Sequence, residues 1–386
     1  MSRPLLLTEN YPPDRGGMAQ SCDRIVRGLR IPGEVDIVHF SRRHAAIERE
    51  THERGTLLRC PSDDDPGHWI NLLWNEIRDE RPSHVVAFGG HVPMLAAPSL
   101  ATWSGAPLLT LVRGNDFDAA LFSPRRGWIL RDALSRSALV AAVSRDHVRR
   151  ISALFPNVPV RWIPNGIDTA EWKLEPHDLE RARAWRAEHV EPGRRVLGLF
   201  GQLKSKKGGS FFLDALRRAG RDGRFHLLVV GEAEPEMLAR LLSIESAASW
   251  THVPFVDRWE LLPFYAACDL VVIPSHYDGL PNVLLEAGAL GVPPLASTAG
   301  AMPDLLDDGD SALLFRAGDP HDCRRAIEAA AAIPDNALRA LGARLAAKIA
   351  REFDAASEAG RYREALRDTA LPPEPGLRPS LQEQER

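Results

Sequence analysis

Three short stretches of this chain gather residue types able to handle a phosphorylated ligand. The first is Asp278-Gly279-Leu280-Pro281-Asn282-Val283-Leu284-Leu285-Glu286-Ala287, which follows the apolar run Leu270-Val271-Val272-Ile273 and Pro274-Ser275. That order predicts a strand, a turn and a helix starting near Asn282, with Pro281 at the first helical position, where its missing N–H is no loss. The N–H groups of Val283 and Leu284 then point out of the strand's C-terminal edge, a setting that attracts phosphate. Glu286 follows about one helical turn later among apolar neighbours. Burying a carboxylate there without partners would cost on the order of several kcal/mol. Glu286 therefore either faces solvent or accepts hydrogen bonds from something specific, for which ribose hydroxyls are suited.

The second stretch holds Lys204, Lys206 and Lys207. Only five lysines occur in the chain, the others being Lys173 and Lys348, so three within four residues stand out in a protein that otherwise uses arginine. A flexible ammonium at a strand end can follow a departing diphosphate and offset its growing charge; a solvated loop is the plainer alternative. The third stretch, Arg113-Gly114-Asn115-Asp116, follows the apolar run 107–112. Arg113 would bring positive charge to a cleft and Asp116 would contact a sugar, unless the segment is simply a strand-to-helix turn.

Positioning these groups requires strands that end side by side. Short runs rich in Val, Ile and Leu recur at 4–8, 35–41, 83–88, 107–112, 138–143, 160–164, 195–200, 226–230, 269–273 and 312–315, mostly separated by stretches with helical periodicity. Continuous apolar runs alternating with helices indicate parallel strands covered on both faces. The two halves open alike: Leu5–Thr8 leads through Tyr11–Gly17, ending in Gly16-Gly17, into a helix, and Val196–Phe200 leads through Gly201–Gly209 into another. The expectation is an α/β protein with two Rossmann-like, doubly wound parallel-sheet domains facing each other across a cleft. The boundaries read as 1–170 for an N-terminal domain, 171–350 for a C-terminal domain, and 371–386 for a proline-bearing disordered tail.

Composition narrows the classes. With 386 residues, 44% hydrophobic and 26% charged, the chain has an ordinary globular balance. A net charge of −4 argues against a dedicated nucleic-acid binder. Cys22, Cys60, Cys268 and Cys323 lie far apart, a pattern of reduced, buried thiols. The apolar run at the start is too short for a signal peptide, and none approaches a membrane span. The expected location is cytoplasmic. Asp-x-Asp triplets at 63–65, 116–118 and 308–310 could hold a divalent cation, but the first and last read as solvated turns, and no metal is expected. Residues 113–161 carry nine arginines against four aspartates, with Trp128-Ile129-Leu130 and Leu134 interleaved. The 125–150 region is thus either a solvated basic face or a peripheral contact with anionic membrane on its inner face.

Taken together, Asp278 to Ala287 resembles the acidic-x7-Glu signature of the retaining glycosyltransferases of family 4, which have the GT-B fold. Pro274-Ser275, Gly291-Val292-Pro293, Asn165-Gly166-Ile167-Asp168, Gly16-Gly17 and Gly201…Lys207-Gly208 fit the same resemblance, which runs from about residue 4 to residue 368. It implies that Glu286 binds the donor ribose and Asp278 the transferred sugar, with Gly279, Leu280, Pro281, Asn282 and Val283 around sugar and phosphates. It implies further that Lys207 neutralises the diphosphate, that Gly16 and Gly17 approach it from the other domain, and that a final helix, 351–370, packs back on the N-terminal domain. The sequence departs from the family at Asp278, usually Glu; at Gln202, usually an arginine, for which Lys204 compensates; and at Arg113–Asp116, where a histidine is usual. The implied activity is transfer of a hexose-type sugar from a nucleoside diphosphate sugar, a substrate and not a cofactor, to a hydroxyl acceptor on a glycan or lipid. A nicotinamide-dependent dehydrogenase would need Gly-x-Gly-x-x-Gly after a strand, which neither half has. A non-catalytic nucleotide-sugar binder is the other alternative.

Overall fold

The computed structural model describes residues 3–62, 65–201, 205–219, 223–244, 248–306 and 313–371. The first sheet comprises β1 (Leu5–Thr8), β2 (Asp36–Ser41), β3 (Glu48–His52), β4 (Gly55–Pro61), β5 (Val85–Phe88), β6 (Leu108–Val112), β7 (Leu139–Ala142) and β8 (Val160–Trp162). Its spatial order is β3-β4-β2-β1-β5-β6-β7-β8, parallel throughout except for the antiparallel β3–β4 pair at one edge. The second comprises β9 (Arg195–Phe200), β10 (Phe225–Val230), β11 (Ala248–Val253), β12 (Leu270–Ile273), β13 (Pro294–Ser297) and β14 (Leu314–Phe315) in the order β11-β10-β9-β12-β13-β14. All its pairings are parallel. Both sheets are the doubly wound parallel kind expected from the sequence.

Helices α1 (Gly17–Arg30), α2 (Pro66–Ile77), α3 (Val92–Ser104), α4 (Asn115–Leu121), α5 (Gly127–Ser135) and α6 (Arg145–Leu154) accompany the first sheet, and α7 (Pro176–His189) follows the crossing between domains. The second sheet is flanked by α8 (Gly209–Ala219), α9 (Pro235–Leu242), α10 (Leu262–Ala266), α11 (Asn282–Ala289), α12 (Met302–Leu305), α13 (Pro320–Ala332) and α14 (Asp335–Glu352); α15 (Ala355–Thr369) ends the described chain. Successive strand residues point to opposite faces, so each sheet feeds two cores. In the first, Leu6, Ile37 and Val86 pack with Ile25 and Val26 of α1, while Leu5, Leu7 and Val38 pack with Leu73 and Leu100 of α2 and α3. In the second, Leu197, Leu227 and Val272 face α8 and α13, while Val196, Leu228 and Val271 face α11 and α14. The four cysteines are all buried free thiols.

The chain crosses between the domains twice, side by side. Ile167 on the outward crossing donates its N–H to Phe353 O (2.8 Å) and accepts from Ala355 N (2.9 Å) on the return. α15 then lies on α1. Gly28 makes this approach possible, because a Cβ there would sit 2.6 Å from that of Ala359. Glu358 is 1% exposed and takes a 2.7 Å hydrogen bond from Arg24 Nε, with the Arg113 guanidinium 3.9 Å away. Removing one member of a buried ion cluster leaves uncompensated charge. Glu358→Gln is therefore expected to lose about 3 kcal/mol in urea unfolding of the full chain; unchanged stability would mean that the two arginines are solvated and not held by Glu358.

Candidate functional site

The end of β12 and the loop before α8 come together first. The short helical turn Ser205–Lys207 lies against the segment after β12, where His276 N donates to Lys206 O at 3.0 Å. Gly208 has φ +70°, and a side chain there would collide with Pro274 O, so glycine is required at this approach. The contact delivers Lys207 Nζ to within 2.7 Å of Asp278 Oδ2. Asp278 also accepts from Ser275 Oγ (3.1 Å) and from the Gly279 N–H (3.1 Å). Ser275 is itself fixed by Ser297 Oγ, which donates to its carbonyl at 2.6 Å. Lys206 contributes its backbone here. Gln202 and Lys204 lie outside the described residues, as do Asp63, Asp64, Asp308, Asp310 and the segment 372–386.

The helix start differs from the expectation by one position. Pro281 is the N-cap of α11, with φ −64° and ψ 132°, and Asn282 is the first helical residue. The Leu284 N–H is consumed by Pro281 O at 3.1 Å. The donors left over are thus those of Asn282 and Val283, in place of Val283 and Leu284. The Gly279 and Leu280 backbones are turned to structural use: Gly279 O accepts from Ala301 N, and Leu280 O accepts from Asn165 Nδ2 at 2.8 Å.

The opposite wall comes from α1. Asn282 Nδ2 donates to Gly17 O (3.2 Å) and to Gln20 Oε1 (3.4 Å), which brings the N-terminus of α11 against the N-terminus of α1. Neither helix has a side-chain cap: Gly16 at φ +113° precedes α1 and Pro281 precedes α11. Uncapped first-turn N–H groups carry partial positive charge and await an acceptor. Nothing lies within 4 Å of where a Gly16 Cβ would be, so the backbone there is open to approach. Gly16, Gly17, Asn282 and Val283 therefore share one opening, beside the Lys207–Asp278 pair.

Glu286 lies deeper, 8% exposed, on the wall of an open pocket lined also by Gln20, Arg24, Asp168 and Arg258. The Tyr265 hydroxyl donates to its Oε2 at 2.7 Å, and the Tyr265 ring is stacked on Phe200. Burial pushes the Glu286 carboxyl above its ordinary value, opposed by the Tyr265 hydrogen bond and by the charges of Arg258 and Arg24. Sequence patterning gives no signal for Tyr265 or Arg258, which lie in stretches that read as ordinary core and loop. Asn165 was visible only as part of the motif at the domain junction.

Arg113 and Asp116 are both engaged within the protein. The Arg113 guanidinium, with its side chain 2% exposed, donates to Tyr362 Oη (2.7 Å), Ser21 Oγ (2.8 Å) and Asn165 Oδ1. All of these lie within the protein, so in this conformation Arg113 braces the cleft wall and presents no charge to the opening. Asp116 is partly buried and accepts from the Arg113 N–H with both oxygens, at 3.0 and 3.1 Å, and loss of solvent raises its pKa. It closes the turn into α4. Asp118, the other end of that triplet, pairs with His147 and Arg150. Among the described residues no group of three or more His, Cys, Asp or Glu side chains converges as a metal site.

Comparison with known proteins bears on both halves. The model for Glycosyltransferase Family 4 matches residues 15–171, and that for Glycosyl transferases group 1 matches residues 194–332. A D-inositol 3-phosphate glycosyltransferase from Segniliparus rotundus is 31% identical over 241 residues, 60% of this chain and 52% of that protein. The chain thus spans about half the length of that relative. A GDP-mannose-dependent alpha-(1-6)-phosphatidylinositol monomannoside mannosyltransferase from Mycobacterium tuberculosis is 26% identical over 342 residues, 81% of this chain and 85% of that protein. In fold, the chain is similar to sucrose-phosphate synthase from Thermosynechococcus elongatus, with a TM-score of 0.80 at 16% identity over 95% of this chain and 99% of that one. It is also similar to Anabaena HepE in complex with UDP and glucose, with a TM-score of 0.72 at 18% identity over 95% and 100% of the respective chains.

The raised pKa of Glu286 has a definite sign for stability. The native carboxyl holds its proton more tightly than the unfolded chain does. Stability therefore falls as pH climbs from the ordinary value of 4.5 towards the raised one, and levels off beyond it. Glu286→Gln removes this dependence. In thermal unfolding across that window, the stability of wild type relative to Glu286→Gln is expected to decline with rising pH; a difference independent of pH would mean that Glu286 ionises as freely in the fold as outside it.

Proposed function

The chain belongs to the glycosyltransferases of family 4, and from that membership we propose that it moves a hexose-type sugar from a nucleoside diphosphate sugar to a hydroxyl of a glycan or lipid-linked acceptor, with retention of anomeric configuration. The observation that supports this reading best is the meeting of two uncapped helix N-termini, α1 from one domain and α11 from the other, beside Lys207. An anion held there gains hydrogen bonds from both domains at once, which fits a diphosphate and also gives the cleft a reason to close on it.

In this reading Asn282, Val283, Gly16 and Gly17 offer their backbone to the phosphates, while Gly279, Leu280 and Pro281 shape the turn that carries them. Glu286 takes the ribose hydroxyls with the oxygen that Tyr265 leaves free. Asp278 takes hydroxyls of the sugar, once Lys207 has moved from it to the diphosphate. Gln202 and Lys204 extend the same loop and belong to the donor side. The acceptor oxygen forms its bond to the anomeric carbon as the bond from that carbon to the diphosphate oxygen breaks. The electron pair leaves with the diphosphate, which takes the acceptor's proton on the same face. Lys207 and the helix N–H groups offset the charge that develops, so the reading calls for no cofactor and no divalent metal. A donor of this class places the reaction in the cytoplasm. The inositol-containing acceptors named for two relatives make a phosphorylated polyol or its lipid the first acceptors to try.

The test is a thermal-shift panel of UDP, GDP, ADP and TDP on wild type, Lys207→Ala and Glu286→Ala. At about 100 times its dissociation constant, the matching nucleotide stabilises the native state by about 2.7 kcal/mol. One nucleotide is expected to shift wild type and neither variant; no shift with any of them would sink the donor reading. With the corresponding sugar donor, Lys207→Ala is expected to lower turnover about 100-fold, and EDTA to leave wild-type turnover unchanged. Activity lost to EDTA and restored by magnesium or manganese would overturn the metal-free step.

A further inference from the structure

The basic region of the N-terminal domain resolves into one narrow feature. Ile129, Leu130 and Leu134 of α5 are buried in the core beneath it, and Arg136 is paired with Asp132. What remains outside is the turn between α4 and α5. Phe122 at its start is 81% exposed and Trp128 at its end is 58% exposed. Between and beside them stand Arg125, Arg126 and Arg131, all exposed, and the segment 121–131 contains no acidic residue. The acids that flank it are engaged elsewhere, Asp118 with His147 and Arg150, and Asp132 with Arg136. Among the described residues, none forms an ion pair with Arg125, Arg126 or Arg131.

The turn is built to hold this arrangement. Ser123 N donates to Ala120 O, Gly127 N to Ser123 O (2.8 Å) and Arg126 N to Ser123 Oγ (3.3 Å). Two aromatic side chains are thus presented to solvent from a closed turn whose roots are in the core. Such exposure of large apolar groups marks a surface that meets something. The charge says what: three cations without a counter-ion, interleaved with two aromatics, complement an anionic surface with an apolar layer beneath it. The turn also lies near the cleft. α4 is only seven residues long, about 10 Å, and is preceded by Gly114, which packs against Gly279 of the other domain. Burial lowers the pKa of His91, at the start of α3, and the nearby charge of Arg126 lowers it further.

We propose that the turn of residues 121–131 docks the protein on an anionic lipid surface, with Phe122 and Trp128 inserted at the headgroup level and Arg125, Arg126 and Arg131 on the lipid phosphates. This inference stands apart from the transfer reading, because docking is measured without any sugar donor. The experiment is sedimentation of the full chain with vesicles of phosphatidylcholine alone and of phosphatidylcholine with phosphatidylglycerol, at low and high salt. Wild type is expected to partition at least about tenfold more strongly onto the anionic vesicles, and to be released by salt. Arg125→Glu with Arg126→Glu is expected to weaken that partition about 25-fold or more, from about fivefold per arginine. Phe122→Ser with Trp128→Ser is expected to abolish what binding survives salt, while Arg324→Glu on α13 leaves binding unchanged; circular dichroism and melting checks that each variant is folded. Equal sedimentation of wild type and variants, or none with anionic vesicles, overturns the proposal. So does a wild-type dimer that becomes monomeric in Phe122→Ser with Trp128→Ser without any vesicle binding, since a second copy would then cover the turn.

Discussion

The guanidinium of Arg113 is the point on which the cleft is built. It leaves the end of β6 and reaches, inside the protein, Ser21 of α1, Asn165 of the crossing segment and Tyr362 of α15. Asn165 passes the connection on to the other domain by donating to Leu280 O, one residue before the cap of α11. A buried cation survives only with compensating charge and hydrogen bonds. Here both come partly from α15, through Tyr362 and the nearby Glu358. The last helix of the chain is thus a condition for the wall of a cleft whose other parts are specified hundreds of residues earlier.

From that brace follows the closeness of the two halves. Gly114, next to Arg113, lies so near Gly279 that a Cβ on it would be 2.6 Å from the Gly279 Cα, and a side chain on Gly279 would collide with Arg113 O. Backbone meets backbone, and the starts of α1 and α11 are drawn together. The choice of caps then decides what the opening can hold. At α6, α13 and α15 the chain satisfies first-turn donors with its own cap side chain, using Ser144, Asp319 and Asp354 respectively, whereas α4, α5, α9 and α14 have no such cap and share that condition with α1 and α11. At α3 the Glu9 carboxylate accepts from the N–H groups of His91 and Val92. What sets α1 and α11 apart is that their uncapped starts face each other, so water or a single anion can meet the donors of both, since neither Gly16 nor Pro281 offers a side-chain acceptor.

How much of this was legible in the sequence follows from what each element buries. Most of the strands read correctly are covered on both faces, because a parallel strand in the middle of a sheet is apolar at every position. β4 was missed although it is largely buried, since Gly-Thr-Leu-Leu-Arg-Cys-Pro holds only two consecutive aliphatic residues; the other strands missed have other reasons to exist. β3 is an exposed antiparallel edge, Glu-Arg-Glu-Thr-His, and β11 is a half-buried edge rich in polar residues. β13 is only four residues long and begins with proline. In the candidate site, Asp278, Lys207 and Glu286 stand out in the sequence because charge is conspicuous in apolar or arginine-rich surroundings. Arg113 stands out in the same way, but its partners come from distant parts of the chain and only the fold reveals them. Tyr265 was hidden for the opposite reason: a tyrosine in an apolar stretch looks like core, and only the fold turns its hydroxyl towards Glu286.

The pairing of Lys207 with Asp278 is the remaining step between a preformed cleft and a working one. Each is the other's partner in this structure, and in the proposed reading each serves a different part of the donor. The ammonium is 36% exposed and the carboxylate 15%, so water screens their attraction and the pair is a weak latch compared with a buried one. A diphosphate arriving between the two helix starts offers Lys207 more negative charge than one carboxylate does, and at the same moment sugar hydroxyls offer Asp278 new donors. Both partners are compensated only when both halves of the donor are present. A free sugar would leave Lys207 where it is, whereas a free nucleotide would draw it away and leave Asp278 with the hydrogen bonds of Ser275 and Gly279 alone.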